Sequence, residues 1–292
     1  MSTWEDILEE VIQQGDLKYG LEYIDRLLLQ KNLLGIDQVA SLLVIRAQLL
    51  RDLGQRVASA KAFRSAGQLD GSKPTIRLVA LFEGAREFVE LKKYPEAMDV
   101  ITLALKEARG HVSELSGDRG IKPLAKDLAL ADSVFDPSAP ISEVICRILL
   151  LRAHVARLSQ NRDRALRDLS EIIETPCASE SLRAAALLDR GAIRFENGES
   201  VKAVEDFLAI WTMKGSLERQ KCDANYNLSL IYACEGNYGG LVESMSVFLR
   251  SSLPPVQMKE ALAESISEIL VDARADEAMA VKEIISSLIK LP

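Results

Sequence analysis

The sequence is poor in the residues and motifs that catalysis and metal binding most often use. Its 292 residues include only two histidines, His111 and His154. The nucleophile, zinc, dinucleotide and phosphate-loop motifs G-x-S-x-G, H-E-x-x-H, G-x-G-x-x-G and G-x-x-x-x-G-K-[ST] are all absent. We therefore expect a protein that is not an enzyme and that holds no metal ion and no cofactor.

The chain also has little that suggests export or a membrane. Residues 1–6 lack the positive and apolar regions of a signal peptide. The most apolar stretches, residues 36–50 and 141–156, are interrupted by arginines, so neither supplies the roughly 18 uninterrupted apolar residues of a membrane span. Four cysteines lie scattered without a C-x-x-C pair, as is typical of free thiols in a reducing cytosol: Cys146, Cys177, Cys222 and Cys234. We expect a soluble, cytoplasmic protein with no membrane insertion.

The composition favours helices and gives no overall attraction to nucleic acid. Hydrophobic residues make up 48% of the chain, whereas aromatic residues are 5% and glycine (16) and proline (9) are sparse. Leucine and alanine dominate, which is typical of helices around a large core. The 36 basic and 43 acidic residues leave a formal net charge of −7, so no global field draws the chain onto nucleic acid or an anionic bilayer. We expect a protein or peptide partner.

Apolar residues recur at three- and four-residue spacing along almost the whole chain, which predicts helices. Short polar breaks interrupt this pattern near residues 15, 54, 92, 160, 198 and 236. Each break is typical of a tight turn between two antiparallel helices. The gaps between the breaks are 39, 38, 68, 38 and 38 residues, and a fixed period of this kind indicates structural repeats.

Small residues recur at corresponding places in these repeats. Four positions after a leading leucine, the helix before the turn carries Ala47, Ala85, Ala153 or Gly191. Five residues after each turn, the second helix carries a mostly small residue such as Ala203. We expect these five residues to be buried where helices cross, because small side chains let two helices approach closely.

This pattern of small residues around a turn glycine resembles the degenerate consensus of the tetratricopeptide repeat (TPR), over most of the chain. Residues 4–27 and 227–238 fit the consensus as well. The resemblance implies an all-α fold, a right-handed α-solenoid of antiparallel helix hairpins with about six to seven degenerate units. The period of 38 residues departs from the usual TPR period of about 34, so other solenoids of helical hairpins stay open as alternatives.

The single gap of 68 residues marks an insertion. Its glycines and prolines, between residues 110 and 140, indicate an insertion or linker with one irregular helix. We therefore divide the chain into N-terminal TPR-like units (1–109), the insertion or linker (110–140) and C-terminal TPR-like units (141–292). The C-terminal units end in a capping hairpin at residues 256–290.

An arginine stands directly before the small residue in three repeats, as Arg46, Arg152 and Arg190. One interpretation is a ligand contact. Two of these repeats, however, carry an aspartate at the matching place in the second helix, Asp168 and Asp206. Because a partly buried guanidinium needs a carboxylate partner, we favour structural pairs of Arg152 with Asp168 and of Arg190 with Asp206. Such a pair also resembles a known TPR variant.

The helices before the fourth to sixth turns offer a candidate binding face, which in a TPR unit would line the concave groove. Residues 147–167 carry six arginines against the single Asp163, a local excess of +5 that favours an acidic partner segment. The competing interpretation is a solvated helix face that binds nothing. The residues expected to contact the partner are Arg147, His154, Arg157, Asp189, Asp223, Tyr226, Asn227 and Leu230.

Two functions fit these features, and the first is a non-enzymatic scaffold or adaptor that holds a peptide or a partner helix on its concave surface. The alternative is a ligand- or peptide-sensing regulatory TPR protein. It would act with a separate effector chain, because residues 1–38 look like a repeat unit and not like the helix-turn-helix that such regulators carry. Leu150 and Ala192 replace residues of the TPR two-carboxylate clamp, which disfavours a chaperone tail as partner. The sequence does not predict an oligomeric state.

Overall fold

A computed structural model describes residues 16–110, 140–251 and 256–270, together with 279, 281 and 283. The three long stretches contain twelve α-helices, a 3₁₀ helix at Lys31–Leu33 and no strand, so the all-α prediction is confirmed there. The α-helices are α1 Leu17–Leu29, α2 Ile36–Asp52, α3 Arg56–Gly67, α4 Pro74–Glu90, α5 Tyr94–Gly110, α6 Ile141–Leu158, α7 Arg162–Glu174, α8 Glu180–Glu196, α9 Ser200–Thr212, α10 Glu218–Cys234, α11 Tyr238–Arg250 and α12 Val256–Ile269.

The packing of the chain separates two compact units. Unit 1 is Met1–Asp168 and unit 2 is Leu169–Pro292, so the boundary lies inside α7. The predicted insertion lies outside the described residues except for its two ends, and His111 lies outside them as well.

In unit 1, helices that follow one another in the chain pack side by side from α1 to α6. Helices α2 and α4 also touch, so the helix before one turn contacts the helix before the next. Helix α5 packs directly against α6, although the predicted insertion separates them in sequence. One apolar cluster of this unit surrounds Ile24 and Leu42 and another surrounds Val44 and Phe63, and Ile148 on α6 is buried as well.

Unit 2 repeats this arrangement. Helices α8 to α11 pack in chain order, and α8 contacts α10 while α10 contacts α12. One apolar cluster surrounds Phe207 between α8, α9 and α10, and another surrounds Phe248 between α10, α11 and α12. Consecutive packing of hairpins in both units is the arrangement of a helical repeat.

Five turns share one backbone conformation. A positive φ occurs at Gly54 (76°), Lys92 (56°), Gln160 (60°), Gly198 (78°) and Gly236 (68°). The residue after each of them donates its backbone N–H to the carbonyl five residues earlier, at 2.8–2.9 Å. This Schellman closure ends one helix and reverses the chain for the next. The turns expected from the polar breaks at these positions are therefore confirmed.

The small residues expected at helix crossings are all buried: Ala47, Ala85, Ala153, Gly191 and Ala203. Their size permits close contacts between the paired helices. In the α2–α3 hairpin, Ser59 Oγ donates to the carbonyl of Ala47 at 2.7 Å. In the α8–α9 hairpin, a Cβ added to Gly191 would lie 2.8 Å from the ring of Phe207. A larger side chain at such a position has no room.

Candidate functional site

Helix α6 carries three residues of the candidate binding face. Arg147 and His154 are seven residues apart, which places them on one side of the helix, and Arg157 follows one turn later. His154 is exposed. Arg147 Nη2 donates to Glu143 at 2.9 Å, while its Nε is buried and has no hydrogen-bond partner among the described residues. Arg157 is half-buried and also interacts within the chain. His154 is therefore the most accessible of the three.

The positive charge of residues 147–167 is partly neutralised by carboxylates just beyond both ends of that segment. Glu143 binds Arg147 from one turn earlier on the same helix, and Asp168 accepts hydrogen bonds from Arg152. Among the remaining arginines, Arg167 on α7 is exposed. The excess of +5 over residues 147–167 leaves out Asp168 and Glu143, which bind two of the six arginines. The structure thus weakens the charge argument for an acidic partner.

The polar candidates on α10 are engaged within their own helix. Asn227 Nδ2 donates to the backbone carbonyl of Asp223 at 2.7 Å. The Asp223 carboxylate lies 3.6 Å from Arg219, one turn earlier. Burial raises the pKa of Asp223, and the nearby Arg219 guanidinium only partly opposes this shift. Both side chains are half-buried, so each presents only part of its surface to a partner.

The apolar candidates on α10 belong largely to the core. The ring of Tyr226 meets Phe248 edge to face, with centroids 5.6 Å apart and planes at 61°. Leu230 packs against the same cluster. Asp189, on α8, is half-buried and interacts within the chain. The structure places these residues with Asp223 and Asn227 on α8 and α10 of unit 2, whereas the three basic candidates are on α6 of unit 1.

Arg152 and Asp168 form a bidentate pair between α6 and α7. Arg152 Nε donates to Oδ2 at 2.7 Å and Nη2 donates to Oδ1 at 2.8 Å. The two side chains are only 10% and 6% exposed. Two parallel charge-assisted bonds are the strongest geometry that this pair can adopt. The structure therefore pairs the two side chains that the sequence pairs, and both are buried.

Arg190 and Asp206 repeat this geometry between α8 and α9, at distances of 3.1 and 2.7 Å. Two further contacts extend the pair. Arg194 Nη1 donates to the same carboxylate at 2.8 Å, and Arg190 Nη1 donates to Ser170 Oγ at 3.1 Å. Sequence reasoning missed Arg194, although its position four residues after Arg190 places both arginines on one helix face.

The third arginine of this recurrence, Arg46, finds a different partner. Its Nε donates to Asp25 on α1 at 2.6 Å, and the two side chains are 31% and 48% exposed. The second helix of its own hairpin carries Ala62 at the place where the other repeats have aspartate. Arg46 therefore pairs with the preceding helix.

No protein-family model matches the chain, and a search of curated proteins finds no match. Within the described residues, no group of three or more His, Cys, Asp and Glu side chains is placed to hold a metal ion. None of the described helices is long and apolar enough to cross a membrane.

A buried polar network between α2 and α4 is a feature that sequence reasoning missed. Arg51 Nη1 donates to Glu83 at 3.0 Å and lies 3.7 Å from Glu87. Both carboxylates are nearly inaccessible, with side chains 3% and 5% exposed. One oxygen of Glu87 and the whole amide of Gln48 are buried without hydrogen-bond partners among the described residues. The network therefore leaves polar atoms unsatisfied in the interior of unit 1.

Burial raises the pKa of Glu87, and this shift predicts how stability depends on pH. The Arg51 and Arg56 guanidinium groups oppose the shift, whereas Glu83 and Glu90 add to it. A carboxyl group whose folded pKa exceeds its unfolded pKa contributes stability that is fully present below the unfolded pKa. This contribution is lost as pH rises through the folded pKa. Ionised Glu87 is therefore a cost at neutral pH.

We expect Glu87→Gln to stabilise the protein at neutral pH, since a neutral amide of similar size replaces a buried ionised carboxylate. The advantage of the variant should shrink as pH falls toward the unfolded pKa of about 4.3 for glutamate. Urea unfolding midpoints measured across this range test the expectation. Glu22→Gln is the matched control, since the Glu22 side chain on α1 is 68% exposed and Glu22 is not among the charges that shift the pKa of Glu87. Equal responses of the two variants at every pH would contradict it.

Proposed function

We propose that this protein is a non-enzymatic scaffold or adaptor of the TPR type, a right-handed α-solenoid that binds a peptide or a partner helix on the face of its first helices. The first helices are those that precede the five turns: α2, α4, α6, α8 and α10. The free cysteines at positions 146, 177, 222 and 234 support a reducing, cytoplasmic setting.

The observation that carries the proposal is the repetition of one hairpin geometry at a spacing of 38 residues. The positive-φ turns recur with this spacing, apart from the one longer gap. The buried Arg–Asp pairs on α6–α7 and α8–α9 recur with it as well. Repeats of this kind contact mainly their neighbours and present extended surfaces, which suit the binding of elongated partner segments.

Within each unit, successive first helices touch one another, α2 with α4 and α8 with α10. Side chains from two repeats can therefore contribute to one surface. On α6, the exposed His154 and the flanking Arg147 and Arg157 provide donors for an acidic or carbonyl-rich segment. We assign the partner contact to this helix because its candidate residues are less engaged in the core than those of α10.

A charge reversal on α6 tests the function. The wild-type protein is used to capture partners from an extract of the source cells, and mass spectrometry identifies them. The double variant Arg147→Glu with Arg157→Glu should fail to capture these partners. Wild-type capture should weaken as salt is raised, because screening reduces contacts between exposed charges. The matched control, Arg164→Glu with Arg167→Glu, makes the same change of charge on the second helix α7 and should keep the partners.

Because Arg147 and Arg157 have contacts within the chain, a further variant separates binding from folding. His154→Glu changes only an exposed side chain and should reduce capture of the same partners without changing the circular dichroism melt. Retention of every partner by the folded α6 variants would remove this face as the binding site. Equal loss in the α7 control would show a general charge effect and would also count against it.

A further inference from the structure

Helix α9 exposes a row of large apolar side chains beside the face that it buries in the core. Val201 is 73% exposed, Leu208 is 47% exposed and Trp211 is 41% exposed. Half-buried Val204 lies between them, so the four residues follow the spacing i, i+3, i+7 and i+10. The adjoining side of the same helix buries Phe207, and Val204 packs partly against the cluster around Phe207. We name Val201, Val204, Leu208 and Trp211 the α9 stripe.

A further exposed apolar residue, Leu217, lies at the N-cap of α10, the helix that follows α9. Lys221 Nζ lies 5.8 Å from the centroid of the Trp211 ring, which brings the two helices together at this point. Leu217 is 57% exposed and lies one turn before Lys221. Four exposed large apolar residues therefore lie on α9 and at the N-cap of α10. Groups of exposed apolar side chains on a protein surface often mark binding sites.

Two lysines near the α9 stripe have acidic partners within the chain, whereas one glutamate has no basic partner in the described part of the chain. Lys202 Nζ lies 2.5 Å from Glu199, and Lys221 Nζ lies 3.2 Å from Glu218, so both cations already have acidic partners. Glu205 is exposed, lies one turn from both Val201 and Leu208, and has no ion pair or hydrogen bond among the described residues. The surface therefore offers one free negative charge among apolar side chains.

We infer that the α9 stripe is a docking site for an amphipathic helix of another protein. The docked helix carries apolar residues at three- and four-residue spacing and a lysine or arginine that meets Glu205. Helix α9 has 13 residues and is about 20 Å long at 1.5 Å per residue, which matches slightly less than about four turns of a partner helix. The apolar residues supply contact area, and the basic residue selects the partner by charge.

Self-association of this chain through the same stripe is disfavoured by the position of Glu205. In a two-fold symmetric contact, antiparallel α9 helices would cross near the middle of the stripe. Glu205 adjoins the exposed Val201 and Leu208 near that crossing, so the two copies would bring like charges together in a desolvated contact. A basic residue from a different protein removes this repulsion.

The stripe lies on a second helix and is distinct from the first-helix face proposed above for the partner. It uses none of the residues Arg147, His154 or Arg157. The result of its test therefore does not depend on the α6 variants.

Trp211 is the reporter for the experiment. The chain has two tryptophans, so Trp4→Phe in the full-length protein leaves Trp211 as the only one. Two helical peptides of about 18 residues serve as probes. Both have leucine along one face, and the flanking positions are lysine in the first and glutamate in the second. Titration of each peptide into the protein, followed by Trp211 emission, gives the two affinities.

The lysine peptide should shift the emission of Trp211 and bind about tenfold more tightly than the glutamate peptide. Glu205→Lys should invert this preference. Leu208→Asp should weaken binding of the lysine peptide by about tenfold or more, because it places a charge at the centre of an apolar contact. Leu33→Asp is the matched control in unit 1, where Leu33 is 83% exposed, and should leave the affinity unchanged.

Three results would overturn the inference. The first is an unchanged Trp211 emission with both peptides. The second is an unchanged preference in Glu205→Lys. The third is a wild-type dimer in sedimentation velocity that Leu208→Asp dissociates and Leu33→Asp does not, since a second copy would then cover the stripe.

Discussion

Asp168→Ala is expected to lower the free energy of unfolding by about 3–5 kcal/mol, the largest effect of any single substitution considered for this protein. The substitution leaves Arg152 in place, with a side chain only 10% exposed. Its guanidinium would lose both carboxylate bonds, at 2.7 and 2.8 Å. An unpaired charge in that position cannot recover the hydration that folding removed. Urea unfolding of the full chain, followed by circular dichroism, measures the loss.

The matched control for this pair is Asp25→Ala, which removes the carboxylate partner of Arg46. That pair is 31% and 48% exposed, so its loss should cost less than about 1 kcal/mol. Replacing both partners of the buried pair, as Arg152→Met with Asp168→Leu, should recover much of the stability, because no buried charge is left alone. Similar losses for Asp168→Ala and Asp25→Ala would show that burial does not decide the energy of these pairs.

Gly191→Val is expected to cost about 2–3 kcal/mol through overpacking. A Cβ at position 191 would lie 2.8 Å from two ring carbons of Phe207, closer than real contacts allow. Phe207 is fully buried, so its ring has no open space into which it can move. Gly191→Ala should have a smaller cost in the same direction, since about 1 kcal/mol of helix propensity offsets part of the clash.

Gly239→Ala is the control for the glycine series. Gly239 also lies in a helix, but a Cβ there would meet only an Asn237 side-chain oxygen at 3.9 Å. The alanine should therefore be neutral or stabilising by up to about 1 kcal/mol. Thermal unfolding should rank the position 191 variants glycine, alanine, valine in falling stability. A gain in stability for Gly191→Ala would contradict the crowding at this crossing.

The two predictions concern the same hairpin design, in which a small residue and an arginine adjoin on the first helix. The small residue sets how closely the second helix approaches, and the arginine then reaches an aspartate across the crossing. In the α10–α11 hairpin, Leu228 and Ser244 replace the arginine and the aspartate, and Ser229 bonds to Ser244 at 2.9 Å. The α10–α11 hairpin thus has the same kind of helix crossing, with a hydrogen bond between two serines in place of the ion pair.

Features that recur within one hairpin could be predicted from the sequence. The turns at residues 54, 92, 160, 198 and 236, the burial of the small residues, and the partners of Arg152 and Arg190 all depend on short separations along the chain. A helix has a fixed rise and a fixed angle per residue, so two helices joined by a short turn bring definite positions together. An arginine and an aspartate at these two places in a hairpin therefore predict that the two side chains pair.

Contacts between successive hairpins were decided only by the tertiary structure. The bond from Arg51 on α2 to the buried Glu83 on α4 depends on how one hairpin is set against the next, which residue periodicity does not specify. The same holds for Asp25 as the partner of Arg46. Within the α10–α11 hairpin, the edge-to-face contact of Tyr226 with Phe248 was also decided by packing, because periodicity places a residue on a helix face but does not say what covers that face.

The exposure of the α9 stripe illustrates this limit. The sequence of α9 is apolar on two sides, with Val201 and Leu208 on one and Phe207 and Ile210 on the other. The repeat pattern selects the side of Ala203 and Phe207 for the helix crossing, but it does not say whether another element covers Val201 and Leu208. Only the packing of α8 and α10 around Phe207 showed that Val201 and Leu208 stay exposed, because a side chain is buried only where other elements remove it from water.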